Sequence, residues 1–357
     1  MKREGCGSVR ESVVKRVACG VCAVVFALTM SVAPGQVAVA YAQALATQSA
    51  LSPQGITFDI EQTIATSSAV TFSWEVPAGT AKQTITYTAS VGGTTTKSAS
   101  NVELDASTSS YTLSGLKANT KVNITIYAYK SEDATMFSYY AYSNDVKTLP
   151  SKVSGLSYYR TFDQAYFSEN KLSVAFSTAT FSSADGYQCV LYTKAGKRVQ
   201  TVKTDGKNGY VKFSKATLKK CYKVRIRPYM TLGGTSTTVY GSWSSYFYAV
   251  PAAKMKDLST SAVKKAKAKV SWTKVSGASK YQIYVATSKK YVSNASSLTY
   301  KKVATVSSLK SSYTIKKADG KKLNTKKYYY YIRVVTVCKY GSKTAKSQGT
   351  YALYCHQ

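Results

Sequence analysis

Four of the seven cysteines, the one histidine and a steep excess of lysine are the residues of this chain that could do chemistry. His356 is the only histidine and the penultimate residue. A nucleophile–base pair or a histidine metal site needs its imidazole held by a fixed frame, and chain ends fray. Cys189, Cys221, Cys338 and Cys355 contain no C-x-x-C pair, so a structural zinc site is not signalled. Glu132-Asp133 reads as a solvated loop tip rather than a Ca²⁺ ligand pair. The paired glycines Gly92-Gly93 and Gly233-Gly234, and the stretch Gly206 to Gly209, are spaced as hairpin turns, not as a phosphate cradle. No catalytic constellation assembles. The expectation is a protein that is not an enzyme, with no cofactor and no metal.

Lysine remains. The formal net charge is +33, and it is graded along the chain. Residues 43–150 carry −2, residues 151–250 carry +11 and residues 251–357 carry +21. In that last stretch 23 basic side chains meet 2 acidic ones, and only Arg333 is an arginine. Lysine is a compact, strongly hydrated point charge, suited to diffuse attraction and poor at planar, bidentate readout. The pattern therefore predicts loose contact with a polyanion or anionic surface, not base-specific reading of nucleic acid. The candidate contacts are Lys264, Lys265, Lys267, Lys269, Lys289, Lys290, Lys301, Lys302, Lys316, Lys317, Lys321, Lys322, Lys326 and Lys327. The competing reading is a solubility device, since charge of one sign keeps a protein monomeric.

The elements that must carry these residues follow from a repeat. Val70-Thr-Phe-Ser-Trp74, Leu172-Ser-Val-Ala-Phe176 and Ala268-Lys-Val-Ser-Trp272 recur at intervals of 102 and 96 residues. Each precedes an alternating strand with tyrosine: Ile85-Thr-Tyr87, Gly186 to Tyr192 and Tyr281 to Val285. A second alternating strand follows at Val122–Ile126, Tyr222–Ile226 and Tyr328–Ile332. A repeat of that length is a domain, not a solenoid unit. Ile56 to Ile60 alternates as a first strand, and the lysine-rich Val263 to Val270 reads as one strand despite its helical look. Pro150-Ser-Lys and Pro251-Ala-Ala-Lys are proline-headed linkers, which favour an extended, semi-stiff string. The 31 tyrosines fall on both strand faces: inward ones are core, and outward ones either pair across strands or stack on a sugar or protein partner.

Strand neighbours bear on the cysteines. Cys189 and Cys221 fall on strands that would adjoin in one sheet and form the candidate disulfide, although their inferred facings disagree. Cys338 and Cys355 bracket the last hairpin, whose turn is Tyr340 to Lys343. They lie too far apart along it to bond and are expected free or partnered elsewhere.

These residues resemble the fibronectin type III family: the second-strand tryptophan (Trp74 and Trp272, with Phe176 in its place), the tyrosine strand, and the Leu-x-x-x-Thr-x-Tyr approach to the sixth strand. That approach reads Leu116 to Val122, Leu218 to Tyr222 and Leu323 to Tyr328, with valine at the tyrosine position in the first copy. The third copy is similar to lysine-rich modules of secreted proteins of Gram-positive bacteria. The resemblance implies an all-β chain of three tandem immunoglobulin-like β-sandwiches, at residues 55–149, 152–250 and 253–355. No Arg-Gly-Asp tripeptide occurs, so integrin binding is not implied.

Residues 1–42 read as a signal peptide. Lys2, Arg3, Arg10, Lys15 and Arg16 precede the apolar stretch Val17 to Ala33, Pro34-Gly35 breaks it, and small residues follow near a cleavage point at 40–46. Cys6, Cys19 and Cys22 leave with it; a retained membrane anchor is the alternative. The expectation is a secreted, monomeric binding or adhesion protein. Its basic C-terminal module would associate with anionic cell-wall polymer or another surface glycan or protein, with no sequence-specific nucleic acid and no membrane segment after cleavage. A structural spacer, or an accessory fragment of a surface or glycan-active system, with no ligand of its own is the competing function.

Overall fold

The structure is a computed structural model. It describes residues 56–133, 135, 137–159, 171–180, 182–205, 208–256, 263–264 (backbone only), 266–348 and 352–356. The expected signal segment, and Lys265, lie outside the described residues. Among the described residues no helix is long and apolar enough to cross a membrane.

The first sandwich comprises β1 (Ile56–Thr57), β2 (Ile60–Ala65), β3 (Ala69–Trp74), β4 (Lys82–Val91), β5 (Thr94–Leu104), β6 (Ser110–Ser114), β7 (Lys121–Tyr129) and β8 (Tyr139–Lys147). Sheet β2-β3-β6 faces sheet β1-β8-β7-β4-β5. The expected single first strand is broken. β1 joins β8 in parallel and β2 joins β3 on the opposite sheet, so the chain changes sheets at Phe58-Asp59.

The second sandwich comprises β9 (Ser154–Tyr158), β10 (Leu172–Ser177), β11 (Gly186–Thr193), β12 (Arg198–Thr204), β13 (Tyr210–Phe213), β14 (Tyr222–Thr231), β15 (Thr238–Tyr240) and β16 (Phe247–Ala249). Sheet β13-β10-β9 faces β12-β11-β14, whose last strand pairs with both β15 and β16.

The third comprises β17 (Val263–Lys264), β18 (Lys267–Ser271), β19 (Lys280–Ser288), β20 (Lys301–Ser307), β21 (Ser312–Ile315), β22 (Lys317–Ala318), β23 (Lys321–Lys322), β24 (Tyr329–Tyr340), β25 (Lys343–Lys346) and β26 (Leu353–Cys355). Sheet β17-β18-β21 faces β20-β19-β24, whose last strand takes β25 and β26; β22 and β23 form a separate hairpin. The lysine-rich stretch is thus a hairpin rather than one strand, with Val263 opposite Ala268 and Lys264 opposite Lys267.

There are three apolar clusters, and each holds one copy of the landmark, Trp74, Phe176 or Trp272, all buried; the third also takes in Cys221 and Val250 of the second sandwich. The second residues of β4, β11 and β19 are Gln83, Tyr187 and Tyr281, and all three point inward. The counterpart of the two tyrosines is therefore Gln83, not Tyr87. The swap has a chemical reason. Gln83 Oε1 accepts the Trp74 indole N–H at 2.9 Å, and its amide donates to the carbonyls of Asp105, Ala106 and Thr108. Phe176 has no N–H to satisfy and packs on Tyr187 at 5.2 Å. Trp272 packs on Tyr281 at 5.2 Å, but its indole N–H meets no acceptor among the described residues.

The approach to the sixth strand shows a similar exchange. Tyr222 Oη accepts from Thr217 N at 3.0 Å, and Tyr330 Oη from Asn324 N at 2.9 Å. In the third copy the corner hydroxyl is thus that of Tyr330, two residues past the expected Tyr328. The first copy, lacking the tyrosine, uses threonine. Thr148 Oγ1 accepts from Thr120 N at 2.9 Å and donates to Lys117 O at 2.8 Å.

The sandwiches do not meet through free linkers. Pro150, Pro251, Ala252 and Ala253 are buried. Gly233 and Gly234 turn the β14–β15 hairpin, and its tip docks on the first sandwich. Gln62 N donates to Gly233 O at 2.7 Å, Gly233 N donates to Gln62 Oε1 at 3.2 Å, and Gln62 Nε2 donates to Lys147 O at 2.7 Å. Gln62 is fully buried, so these bonds have no water to replace them. Beside them Lys147 Nζ pairs with Asp185 at 3.2 Å. Burial pushes the Asp185 carboxyl up, but the Thr231 amide and Lys147 outweigh it and hold it below the usual range. A Cβ on Gly233 would come within 2.6 Å of Asp145 O, a backbone atom. Gly233→Ala is expected to lift the tip and leave Gln62 half-satisfied, costing about 1–3 kcal/mol. Calorimetry should then separate melting of the first sandwich from the rest; a single unshifted transition would contradict this docking.

Candidate functional site

The sequence nominated lysines of the third sandwich. Twelve of the fourteen have described side chains, and all twelve are exposed: Lys267, Lys269, Lys289, Lys290, Lys301, Lys302, Lys316, Lys317, Lys321, Lys322, Lys326 and Lys327. Lys264 is described by its backbone alone.

Strand register gathers them at one end. Ala268 sits opposite Ile315, which sets Lys267 beside the start of the 316–327 segment. Lys317 faces Lys322 and Ala318 faces Lys321 across the β22–β23 hairpin. Val285 faces Lys301, so the first residues of β20 lie near the end of β19 that leads to Lys289 and Lys290. Ser288 faces Tyr329, and Lys326-Lys327 immediately precede that strand. Cys338 and Tyr340 occupy the far end of β24. Nine residues at about 3.3 Å each put that end roughly 30 Å from Tyr329.

The electrostatics there are one-sided. Asp319 is the described carboxylate among these lysines, and it pairs with Lys301 at 2.8 Å. Two register pairs set lysine opposite lysine, Lys264 with Lys267 and Lys317 with Lys322. Like charges directly opposite each other destabilise a strand pair. The fold therefore tolerates repulsion at this end.

The second sandwich carries cations of a different kind, which sequence reasoning missed. Outward positions of β14 alternate as Lys223, Arg225, Arg227 and Tyr229. After β15 the segment Gly241–Ser245 runs along β14. Ser244 N donates to Ile226 O at 2.8 Å, and Ile226 N donates to Ser244 Oγ at 2.9 Å. This register inserts Trp243 between the two guanidiniums, each 4.4 Å from its ring. Arg227 also lies 4.0 Å from the Tyr240 ring, and Arg225 5.2 Å from Tyr246. Desolvation lowers the Arg227 pKa. These arginines are engaged by rings and by Gln188, which accepts from Arg227 Nε at 2.8 Å. The legible signal was the i, i+2 arginine pair followed by a Gly-Ser-Trp-Ser-Ser turn.

The cysteine expectation is corrected. Cys221 is bonded to Cys338, 117 residues away and on the third sandwich, and Cys189 is free and buried. Register shows why. Cys189 faces Ile226, so Cys221 lies five residues further along, about 16 Å away. Cys189 points inward at the position held by Ile85 and Ile283 in the other copies, and acts there as a small apolar side chain. Burial pushes its thiol up to about 12. Cys355 is also free and buried, with its thiol pushed up to about 11.

The disulfide is one of several ties between the second and third sandwiches. Cys221 N donates to Ser276 O at 3.1 Å and Ser276 N to Lys219 O at 2.7 Å. Tyr340 Oη donates to Tyr222 O at 3.0 Å, and burial raises its pKa. Lys194 Nζ donates to Gly277 O at 2.9 Å. Cys221 and Val250 belong to the same apolar cluster as Trp272.

No protein-family profile matches the chain, and no curated protein matches it. Among solved structures, it is similar to the FN1–FN3 domains of chicken CNTN1, with 12% identity over 84% of this chain and 99% of that one and a TM-score of 0.25. It is also similar to a two-domain fibronectin type III segment of chicken tenascin, with 22% identity over 51% of this chain and 95% of that one and a TM-score of 0.27.

Proposed function

We propose that this chain is a secreted, non-enzymatic binding protein of three domains, residues 55–149, 152–250 and 253–355. Its lysine-rich end, on the third domain, associates with an anionic polymer of the cell wall or cell surface. The observation that carries this reading is the gathering of exposed lysines at one end of the third sandwich, where Lys317 and Lys322 repel across one hairpin. A ligand with spaced negative charge relieves that repulsion. The Cys221–Cys338 bond supports export, because disulfides persist in oxidising compartments. Residues 1–42 are the proposed signal, cleaved near 40–46.

Each ammonium contributes a weak, screened contact, because the Debye length is only about 8 Å at physiological salt. The sum is what binds. Joint reversal of Lys317, Lys321, Lys322 and Lys326 to glutamate is expected to cut binding to anionic cell wall at least a hundredfold at low salt. Single reversals should cost only a few-fold. Pull-down on purified wall across a salt series measures both, and a single lysine that abolishes binding would point to a specific pocket instead.

The buried junctions favour a second reading, a spacer that holds its neighbours at fixed separation. Docking through Gln62–Gly233 and Cys221–Cys338 suits a load-bearing or distance-setting element. Absence of wall binding at low salt selects it.

A further inference from the structure

We infer that the junction of the second and third sandwiches is a second binding site, a cleft for an anionic oligosaccharide. It lies at the opposite end of β24 from the clustered lysines and does not rest on their role. The cleft measures about 490 Å³, within the size range of small-ligand sites. Lys194, Lys223, Tyr246 and Tyr248 line it from the second sandwich, and Lys339 and Tyr340 from the third.

The three rings follow one another along the cleft, each tilted against the next, from buried Tyr340 to exposed Tyr246. Tyr340 packs on Tyr248 at 4.5 Å, and Tyr248 lies 6.4 Å from Tyr246. Tyr246 is 38% exposed, so part of its ring reaches solvent beside the Lys223 and Arg225 groups that lie over it. Tyrosine rings offer large, rigid contact area with little conformational entropy to lose. Three ammonium groups flank them, Lys194 Nζ also donating to Gly277 O, and among the described residues no carboxylate lines the cleft. Lys223 Nζ stands 5.1 Å from the Tyr246 ring centre, so charge and ring occupy one spot.

Chemistry chooses the ligand. A sugar ring lays its C–H face on an aromatic plane, while a carboxylate or sulfate on the same ring reaches an ammonium. Lysine suits that point contact, whereas planar bidentate recognition would call for arginine. The cleft walls are pre-set, because the Cys221–Cys338 bond and the Tyr340–Tyr222 hydrogen bond fix one sandwich against the other. A preorganised cleft binds without first ordering itself.

The test is calorimetric titration of the full oxidised chain with tetragalacturonate, neutral maltotetraose and inorganic polyphosphate at physiological salt. Tetragalacturonate is expected to bind one-to-one, with maltotetraose at least tenfold weaker. Tyr246→Ala and Lys339→Gln, both at exposed positions, should each weaken tetragalacturonate at least tenfold and leave polyphosphate binding within twofold. Paired reversal of Lys321 and Lys322 should do the opposite, since that end lies several Debye lengths away. The inference is overturned by no saturable tetragalacturonate binding, by equal binding of maltotetraose, or by loss through Lys321 and Lys322 rather than through the cleft. An unchanged melting temperature in the two cleft variants shows that any loss is not unfolding.

Discussion

Trp272→Ala is expected to abolish cooperative melting of the third sandwich while the first melts unchanged. Trp272 is 1% exposed at the centre of its core. Truncating a buried tryptophan costs about 3–5 kcal/mol, from lost transfer energy and from the cavity left behind. A domain has only about 5–15 kcal/mol to lose. Milder changes give a sharper test. Trp74→Phe removes the donor that Gln83 Oε1 accepts and leaves a buried acceptor unpaired, a cost of about 1–3 kcal/mol beyond the lost volume. Trp272→Phe removes an N–H that has no acceptor, so that added cost is absent. The phenylalanine variant should therefore be clearly worse at 74 than at 272 in thermal melts. Equal losses would contradict the account of how each core handles its landmark.

Removing the disulfide should have the next largest effect. Cys221→Ala with Cys338→Ala is expected to cost about 2–5 kcal/mol, the usual range for a native disulfide. The loss should fall on the second and third sandwiches together, because Cys221 and Val250 sit in the third core. The two should then unfold in separate steps while the first stays docked through Gln62. Peptide mapping under non-reducing conditions checks the pairing itself. It should return a Cys221–Cys338 peptide, with Cys189 and Cys355 labelled by alkylating reagent only after denaturation. A Cys189–Cys221 peptide would contradict the register of β11 on β14.

How much was legible depended on range. The landmark strands were readable because Val70–Trp74 and its copies alternate, and alternation is a local property of one strand. The Tyr340–Lys343 turn was readable because Gly341 supplies the positive φ, 61°, that a two-residue hairpin needs. What failed was non-local. Nothing near Cys221 in sequence says that it faces the next sandwich, because that follows from how Ser276 pairs with Lys219. Gly233-Gly234 reads as an ordinary turn, and its second role depends on Asp145 lying 2.6 Å from an absent Cβ. Gln83 was hidden because the tyrosine pattern drew attention to Tyr87 four residues on. The lysine positions were readable as exposed from alternation. Their gathering at one end was not, because it comes from the β22–β23 hairpin and the register of β20 on β19.

Two four-fold charge reversals in the full oxidised chain distinguish a lysine site from bulk charge. One carries Lys317, Lys321, Lys322 and Lys326 as glutamate, at the clustered end. The other carries Lys97, Lys121, Lys197 and Lys215 as glutamate, all exposed and on the first two sandwiches. Net charge changes equally, so solubility and bulk attraction change equally. The full chain is required because an isolated third sandwich would leave Cys338 without its partner. Binding to purified anionic cell wall is then followed against salt concentration. The first variant is expected to lose at least a hundredfold at low salt and most of its salt dependence, while the second stays within a few-fold of the parent chain. Equal losses in the two variants would show that only net charge matters, and the lysine end would not be a site.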